Sequence, residues 1–262
     1  MAESALFSLA GKVVVQCGGT GLLGRALVAT LGATGATLVV AGRDRAKIEP
    51  GLAAGRAAGQ RLHAESVDLT EEASVTALRD RLLAAHGRID GLVFNAVSRP
   101  MRNERDTVAA WQESMKLNAT GLFLTLRTFA DTLAAQATGG SIVNIASIQG
   151  MVGSNPSLYE GTTMGTVPDY FFHKAGMINL TRHYASVYGP RKVRVNVVSP
   201  GGIFNPDKPQ PEPFLGRYNA QTMLGRMARA DEIGGAVVFL LSDAASYVTG
   251  TNLPVDGGYT AK

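Results

Sequence analysis

Lys12-Val13-Val14-Val15-Gln16-Cys17-Gly18-Gly19-Thr20-Gly21-Leu22-Leu23-Gly24-Arg25 joins a run of β-branched residues to a cluster of glycines and then to a helical pattern over Leu23–Ala33. A strand that turns at glycines into a helix brings free backbone N–H groups and the positive end of a helix dipole to one point. That arrangement receives the pyrophosphate of a dinucleotide. The plain alternative is a flexible strand-to-helix turn. The rest of the chain favours the first reading, because the same strand-then-helix rhythm recurs to its end.

After a first strand over Lys12–Cys17, further strands are expected over Thr37–Ala41, Arg61–Val67, Gly91–Asn95, Ser141–Ala146, Val193–Val198 and Asn252–Val255. Most lack polar alternation, as strands covered on both faces should. Helical stretches lie between them at Arg45–Gln60, Glu71–His86, Thr107–Gln136, Asp169–Tyr188 and Asp231–Leu241. Parallel strands joined by helical crossovers make a doubly wound α/β sheet with helices on both faces. Its ligand sits beyond the carboxyl ends of the strands. Two segments break the rhythm: Gly150–Pro168 has no periodicity, and Asn205–Pro213 holds prolines at 206, 209, 211 and 213. Loops of this length usually serve as lids or binding loops. Residues 150–168 and 203–223 are therefore read as substrate loops on a single domain spanning 1–262.

The 262 residues carry 25 Lys+Arg against 21 Asp+Glu, a net charge of +4 with no concentrated basic block, so no nucleic-acid partner is expected. With 45% hydrophobic and 18% charged residues, disorder is excluded as the main state. The one cysteine, Cys17, rules out a disulfide framework and a paired-Cys zinc site, and at the end of a buried strand it reads as inert packing. Met1–Lys12 lacks the basic and apolar parts of a signal peptide, and no apolar run reaches the ~18 residues of a membrane span. A cytoplasmic protein with no membrane partner is expected.

The second strand ends at Ala41-Gly42-Arg43-Asp44. An acid here would grip the ribose 2′-OH of NAD, whereas an arginine accommodates the 2′-phosphate of NADP. Gly42 stands where the acid is expected and Arg43 can contact phosphate bidentately, so NADP(H) is favoured over NAD(H). A solvated arginine beside Asp44 is the alternative.

Two Tyr-x-x-x-Lys pairs occur. Tyr170-Phe171-Phe172-His173-Lys174 opens a long helical stretch, so its tyrosine and lysine share one face. Tyr188-Gly189-Pro190-Arg191-Lys192 contains Gly-Pro, which ends a helix and separates the two groups. Ionising an ordinary tyrosine at neutral pH costs about 4 kcal/mol. A neighbouring ammonium lowers that cost and makes the first pair a usable acid/base unit.

Together these residues resemble the short-chain dehydrogenase/reductase family in its single-domain branch, a Rossmann-type sheet of about seven parallel strands. The other marks are Asp68-Leu69-Thr70, Phe94-Asn95-Ala96-Val97, Asn118 in Lys116–Gly121, Ser147 in Asn144–Ser147, Ser199-Pro200-Gly201-Gly202-Ile203 and Val255-Asp256-Gly257-Gly258. The resemblance implies that Tyr170 exchanges a proton with the substrate oxygen while Lys174 holds the nicotinamide ribose and lowers the tyrosine pKa. It implies that Ser147 hydrogen-bonds the reacting oxygen and that Asn118 holds a water of a proton relay. Hydride passes between nicotinamide and a small ketone or secondary alcohol, with no metal. Gly18, Thr20, Gly21, Leu22, Leu23, Gly24, Arg43, Asp68, Leu69, Asn95, Ala96, Val97, Pro200, Gly201, Gly202 and Ile203 are the implied cofactor contacts, beside Tyr170 and Lys174. A homo-oligomer, dimer or tetramer, is implied through the long helices and the last strand.

The chain also departs from the family pattern. Cys17 replaces a threonine and Leu22 a glycine, so that Gly18, Gly21 and Gly24 are spaced by three, as in the epimerase and dehydratase branch. That branch, with a tightly held nucleotide, is one alternative function; a non-catalytic NADP sensor is another, which the intact acid/base residues oppose. Ser147 and Tyr170 are 23 residues apart (170 − 147), a longer interval than usual, with the extra residues in Gly150–Pro168. This insertion is expected to shape a substrate lid, with Gln149, Tyr159 and Glu160 near the substrate in addition to Ser147 and Tyr170; a surface excursion or a subunit contact is the alternative. Arg99, Arg102 and Lys208 are candidate lip residues that could attract an anionic or sugar-acid-like substrate, with solvated surface charges as the alternative.

Overall fold

Consecutive residues of β1 (Val13–Cys17) point to opposite faces, and both faces are covered. Val14 packs with Leu27, Leu31, Val237 and Leu241, while Val15 packs with Leu78, Phe94, Leu126 and Phe129. This two-sided burial explains the unbroken apolar strand sequences, since burying each such side chain is worth about 1.5–3 kcal/mol. The computed structural model describes residues 5–262, so the first four residues of the Met1–Lys12 stretch lie outside the described residues.

The other strands are β2 (Thr37–Gly42), β3 (Arg61–Ser66), β4 (Gly91–Phe94), β5 (Gly140–Ile145), β6 (Val193–Pro200) and β7 (Asn252–Val255). All pair in parallel in one sheet of order β3-β2-β1-β4-β5-β6-β7, the doubly wound arrangement expected from the sequence. Only β3, at one edge, alternates between exposed and buried positions. The sheet reverses its winding direction between β1 and β4, the place where sheets of this kind bind ligands beyond the strand ends.

The crossovers are α1 (Leu22–Gly32), α2 (Arg45–Ala57), α3 (Glu72–His86), α4 (Val108–Met115), α5 (Leu122–Ala135), α6 (Pro168–Tyr188), α7 (Glu212–Gln221) and α8 (Gly234–Leu241). Two findings differ from the sequence expectation. The helix read as continuous over Thr107–Gln136 is broken at Lys116–Gly121 by a wider π turn that carries Asn118. The Pro-rich segment gives way to α7, where Pro211 is the N-cap and Pro213 lies in the first turn, a place that needs no proline N–H.

The insertion after Ser147 is anchored. Its single turn Pro156–Tyr159 buries Leu158 against Phe214, Tyr218 and Met227, so residues 150–168 rest on α7. A groove lined by Lys12, Asp90, Lys192 and Arg194 lies at the opposite, amino-terminal edge of the sheet. Among the described residues, no helix is long and apolar enough to cross a membrane.

Candidate active site

The loop after β1 is held in shape from behind. Gln16, wholly buried, donates through Nε2 to the carbonyl oxygens of Gly18 (3.2 Å) and Gly24 (2.9 Å), and Asn95 Nδ2 donates to Gly18 O (2.8 Å). Gly18 has φ +91°, and a Cβ there would lie 2.8 Å from Ala96 N, so the close approach of Asn95-Ala96 requires glycine. At Gly21 a Cβ would meet nothing within 4 Å. Gly21 is the N-cap of α1 with no side-chain cap, no acid occupies the first turn, and the first bond of the helix runs from Arg25 N–H to Gly21 O. The N–H groups of Leu22, Leu23 and Gly24 are thus left for a ligand at a positive helix end, which fits a dinucleotide pyrophosphate. Thr20 is exposed at the rim, its carbonyl oxygen accepting from Arg25.

Arg43 is exposed just beyond β2 and pairs with no carboxylate among the described residues. Asp44 turns away from it, capping α2 by accepting from Lys47 N–H. Asp68 Oδ1 accepts from the N–H and hydroxyl of Thr70 (2.9 and 2.7 Å), which, with the more distant Arg43, holds its carboxyl below the usual range. Leu69 is buried, and its carbonyl oxygen crowds Gly121 of the π turn. Val97 is partly exposed beyond Ala96.

Ser147 sits at the end of β5 and is buried, its Oγ accepting from Gln149 N–H (3.2 Å). Gln149 Nε2 in turn donates to the Tyr159 hydroxyl (3.4 Å), joining the insertion to the serine turn. The Glu160 side chain is exposed, and its carbonyl oxygen accepts from Arg217. A Cβ at Gly150 would lie 2.6 Å from the Lys174 carbonyl carbon, so glycine there lets this turn press onto α6.

Tyr170 and Lys174 stand one turn apart on α6, with Lys174 Nζ 5.6 Å from the tyrosine ring centroid. Lys174 is buried and donates to Ile145 O (2.7 Å), tying α6 to the end of β5. Burial, and secondly the Arg99 guanidinium, bring its ammonium down to about 7. Asn118 Oδ1 accepts from Ser98 N–H (2.9 Å), and its Nδ2 donates to Ser98 O (2.7 Å) and Ser114 Oγ (2.9 Å). Ser114 Oγ donates to Asp169 Oδ2, so a buried chain of hydrogen bonds links Asn118 to the residue before Tyr170. Asp169 Oδ1 and both ring nitrogens of His173 have no partner among the described residues. Burial, then Lys174 and Arg99, push His173 down to about 3, so its ring is neutral.

Ser114 and Asp169 escaped the sequence reading. Their one visible signal is a serine four residues before Asn118 on the same helical face. On the far side, Gly201 N–H donates to Val255 O (3.0 Å), Gly202 N–H donates to the Tyr218 hydroxyl, and Ile203 bridges to Ala228. Pro200–Ile203 is thus braced by β7 and α7. Tyr188, by contrast, donates to Asp131 Oδ1 (2.7 Å) and is separated from Lys192 by the Gly189–Arg191 turn; this second pair forms no unit. Burial pushes the Cys17 thiol up to about 12, which leaves it unreactive.

A family model described as enoyl-(acyl carrier protein) reductase matches residues 21–260. The chain is 38% identical over 260 residues to cis-4-hydroxycyclohexanecarboxylate dehydrogenase of Sinomonas cyclohexanicum, covering 97% of this chain and 98% of that one. It belongs to the short-chain dehydrogenase/reductase family. As a member of the short-chain dehydrogenases/reductases, it is an oxidoreductase acting on a CH–OH/C=O group with a nicotinamide cofactor. Similar too is 2,5-dichloro-2,5-cyclohexadiene-1,4-diol dehydrogenase of Sphingobium indicum, 35% identical over 97% of this chain and 98% of that one. Among solved structures, the gluconate 5-dehydrogenase from Burkholderia cenocepacia in complex with NADP and tartrate superposes with a TM-score of 0.88 at 27% identity, over 98% of each chain.

Proposed function

We propose that this protein interconverts a ring-borne secondary alcohol and its ketone with NADP(H), through Tyr170, Lys174, Ser147 and Asn118. The observation that carries this reading is Lys174, buried beside the Tyr170 ring and bonded to Ile145 at the end of β5, two residues before Ser147. A bound nicotinamide supplies or accepts the hydride. In the reducing direction the Tyr170 hydroxyl gives its proton to the oxygen of the substrate as negative charge grows there. The Gln149 N–H occupies a lone pair of Ser147 Oγ, which leaves the serine proton free for the same oxygen. The Lys174 ammonium, when charged, stabilises the tyrosinate that remains and can hold the ribose. Asn118, fixed by three hydrogen bonds in a π turn, would hold the water of a proton relay from Lys174.

NADP(H) is supported by Arg43, without an acid partner among the described residues while Asp44 is committed to a helix cap. Gly21, Leu22 and Leu23 would hold the pyrophosphate, Asp68 and Leu69 the adenine, Asn95, Ala96 and Val97 its ribose, and Pro200–Ile203 the nicotinamide. The ring-alcohol substrate is supported by the similarity to dehydrogenases of cyclic alcohols. We further propose a cytoplasmic homo-oligomer, its subunits joined through α4, α5 and α6, which leave Val108, Phe123, Phe172 and Val187 exposed. The test follows reduced-cofactor absorbance with NADPH and NADH against cyclic ketones, for the wild type and Arg43→Asp. Turnover with NADPH preferred, and a preference shifted toward NADH in the variant, supports the proposal. Absence of turnover with every ketone rejects it, and an unaltered preference rejects the role of Arg43.

A further inference from the structure

Arg99 lies between β4 and α4, with its guanidinium carbon 4.7 Å from the centroid of the Tyr170 ring. Half of the eighteen arginines pair with an acid among the described residues, as Arg45 and Arg56 do with Glu49, Arg81 with Glu65, Arg88 with Asp90, and Arg226 with Glu232. Arg99 has no carboxylate within 4.0 Å, and no acceptor for its N–H groups, among the described residues. Lys174 Nζ lies 5.6 Å from the centroid of the same ring, and the buried acid on α6, Asp169, is turned to Ser114. Two cations therefore flank one phenol ring without a counter-charge, and the guanidinium presents a planar fork of donors that matches a carboxylate.

We propose that Arg99 anchors a carboxylate carried by the substrate, making the preferred substrates cyclic hydroxy and keto acids rather than uncharged ring alcohols. The inference rests on the reading of Tyr170 as the proton donor to a ring ketone. A molecule whose ketone oxygen meets the Tyr170 hydroxyl and whose acid group lies a ring's width away reaches both groups, because the guanidinium is stacked on that same tyrosine. The acid also supplies the missing counter-charge.

The experiment compares kcat/KM for 4-oxocyclohexanecarboxylate and cyclohexanone in the wild type and in Arg99→Gln. Calorimetry on the NADP-loaded proteins runs beside it, with cyclohexanecarboxylate and cyclohexanol as ligands. Loss of a charge-assisted fork lowers the ratio of the two kcat/KM values about tenfold to a hundredfold and weakens cyclohexanecarboxylate binding by a similar factor. Arg99→Lys, which keeps the charge without the fork, recovers part of the ratio. A ratio unchanged in Arg99→Gln overturns the proposal; if both rates also fall together, Arg99 acts on Tyr170 and Lys174 instead of on the substrate. If the wild type turns over neither ketone, the oxidoreductase reading fails on these rings, yet calorimetry still decides the anchor. Equal affinity of the wild type and Arg99→Gln for cyclohexanecarboxylate would then refute it, and binding lost only in the variant would uphold it.

Discussion

Replacing Ser114 by valine removes the one hydrogen bond that reaches the Asp169 carboxyl, which is 1% exposed. Its other oxygen, Oδ1, is already without a partner among the described residues, so the variant leaves the buried group with no protein donor. An unsatisfied buried neutral acceptor costs about 1–3 kcal/mol and a charged one more, which puts the expected loss near 3 kcal/mol. For a chain of this size that is about 6–12 °C in Tm. Asn118 loses one bond but keeps both to Ser98, so kcat should fall by less than about tenfold, a far smaller loss than removing an acid/base group causes. The assay is urea unfolding of Ser114→Val, Asp169→Leu and the double variant, with kcat read in parallel. Replacing both partners of a buried bond by apolar groups is nearly neutral, so the double variant should be more stable than the sum of the singles predicts, by about 1–2 kcal/mol. Additive losses, or a single Ser114→Val variant as stable as the wild type, would show that the chain from Asn118 to Asp169 carries no energy.

Three further outcomes follow from the geometry. Tyr170→Phe should reduce turnover by at least about a hundredfold while cofactor affinity, measured by fluorescence titration, stays within a few-fold; undiminished turnover removes Tyr170 from the chemistry. Gly21→Ala should fold with stability within about 0.5 kcal/mol of the wild type yet bind NADPH more weakly, because its Cβ enters space that the protein leaves empty. Gly24→Ala should instead lower Tm, since its Cβ would lie 2.8 Å from Gly18 O; the reverse pattern would contradict the assigned pyrophosphate site. His173, held down to about 3, stays uncharged in the fold, whereas the unfolded chain takes up the proton below about 6.5. Stability is therefore lost as pH falls from about 6.5 toward 3, by on the order of 4 kcal/mol across the window. His173→Leu should flatten that acid limb in urea titrations at stepped pH, and an identical slope in both proteins refutes the assignment.

The sheet was legible because strands buried on both faces leave a signal within a few residues of sequence, and Val13–Cys17 or Val193–Val198 need no distant partner to be recognised. Lys174 and Tyr170 were legible for a similar reason, as their spacing places them on one helical face. What escaped depends on contacts between distant segments. The π turn at Asn118 sits where the asparagine side chain brackets Ser98, twenty residues earlier, and nothing in the apolar periodicity of Thr107–Gln136 marks it. α7 was hidden because prolines read as helix breakers without a known start, although Pro211 and Pro213 occupy places where a helix accepts them. The closeness of Arg99 to Tyr170, across 71 positions (170 − 99), could not be inferred from spacing.

The docking of residues 150–168 onto α7, through Leu158, Tyr159 and Phe214, has a bearing on how this scaffold changes its preferences. The substrate wall we propose is a composite of two stretches distant in the chain, interlocked by apolar side chains and tied to Gly202 through Tyr218. Grafting either stretch alone from a relative would set a new surface against an old mate and leave a void or a clash. Transplants that move residues 150–168 and 203–223 as a matched set should retain a closed wall, so on the proposed reading specificity is inherited with the pair.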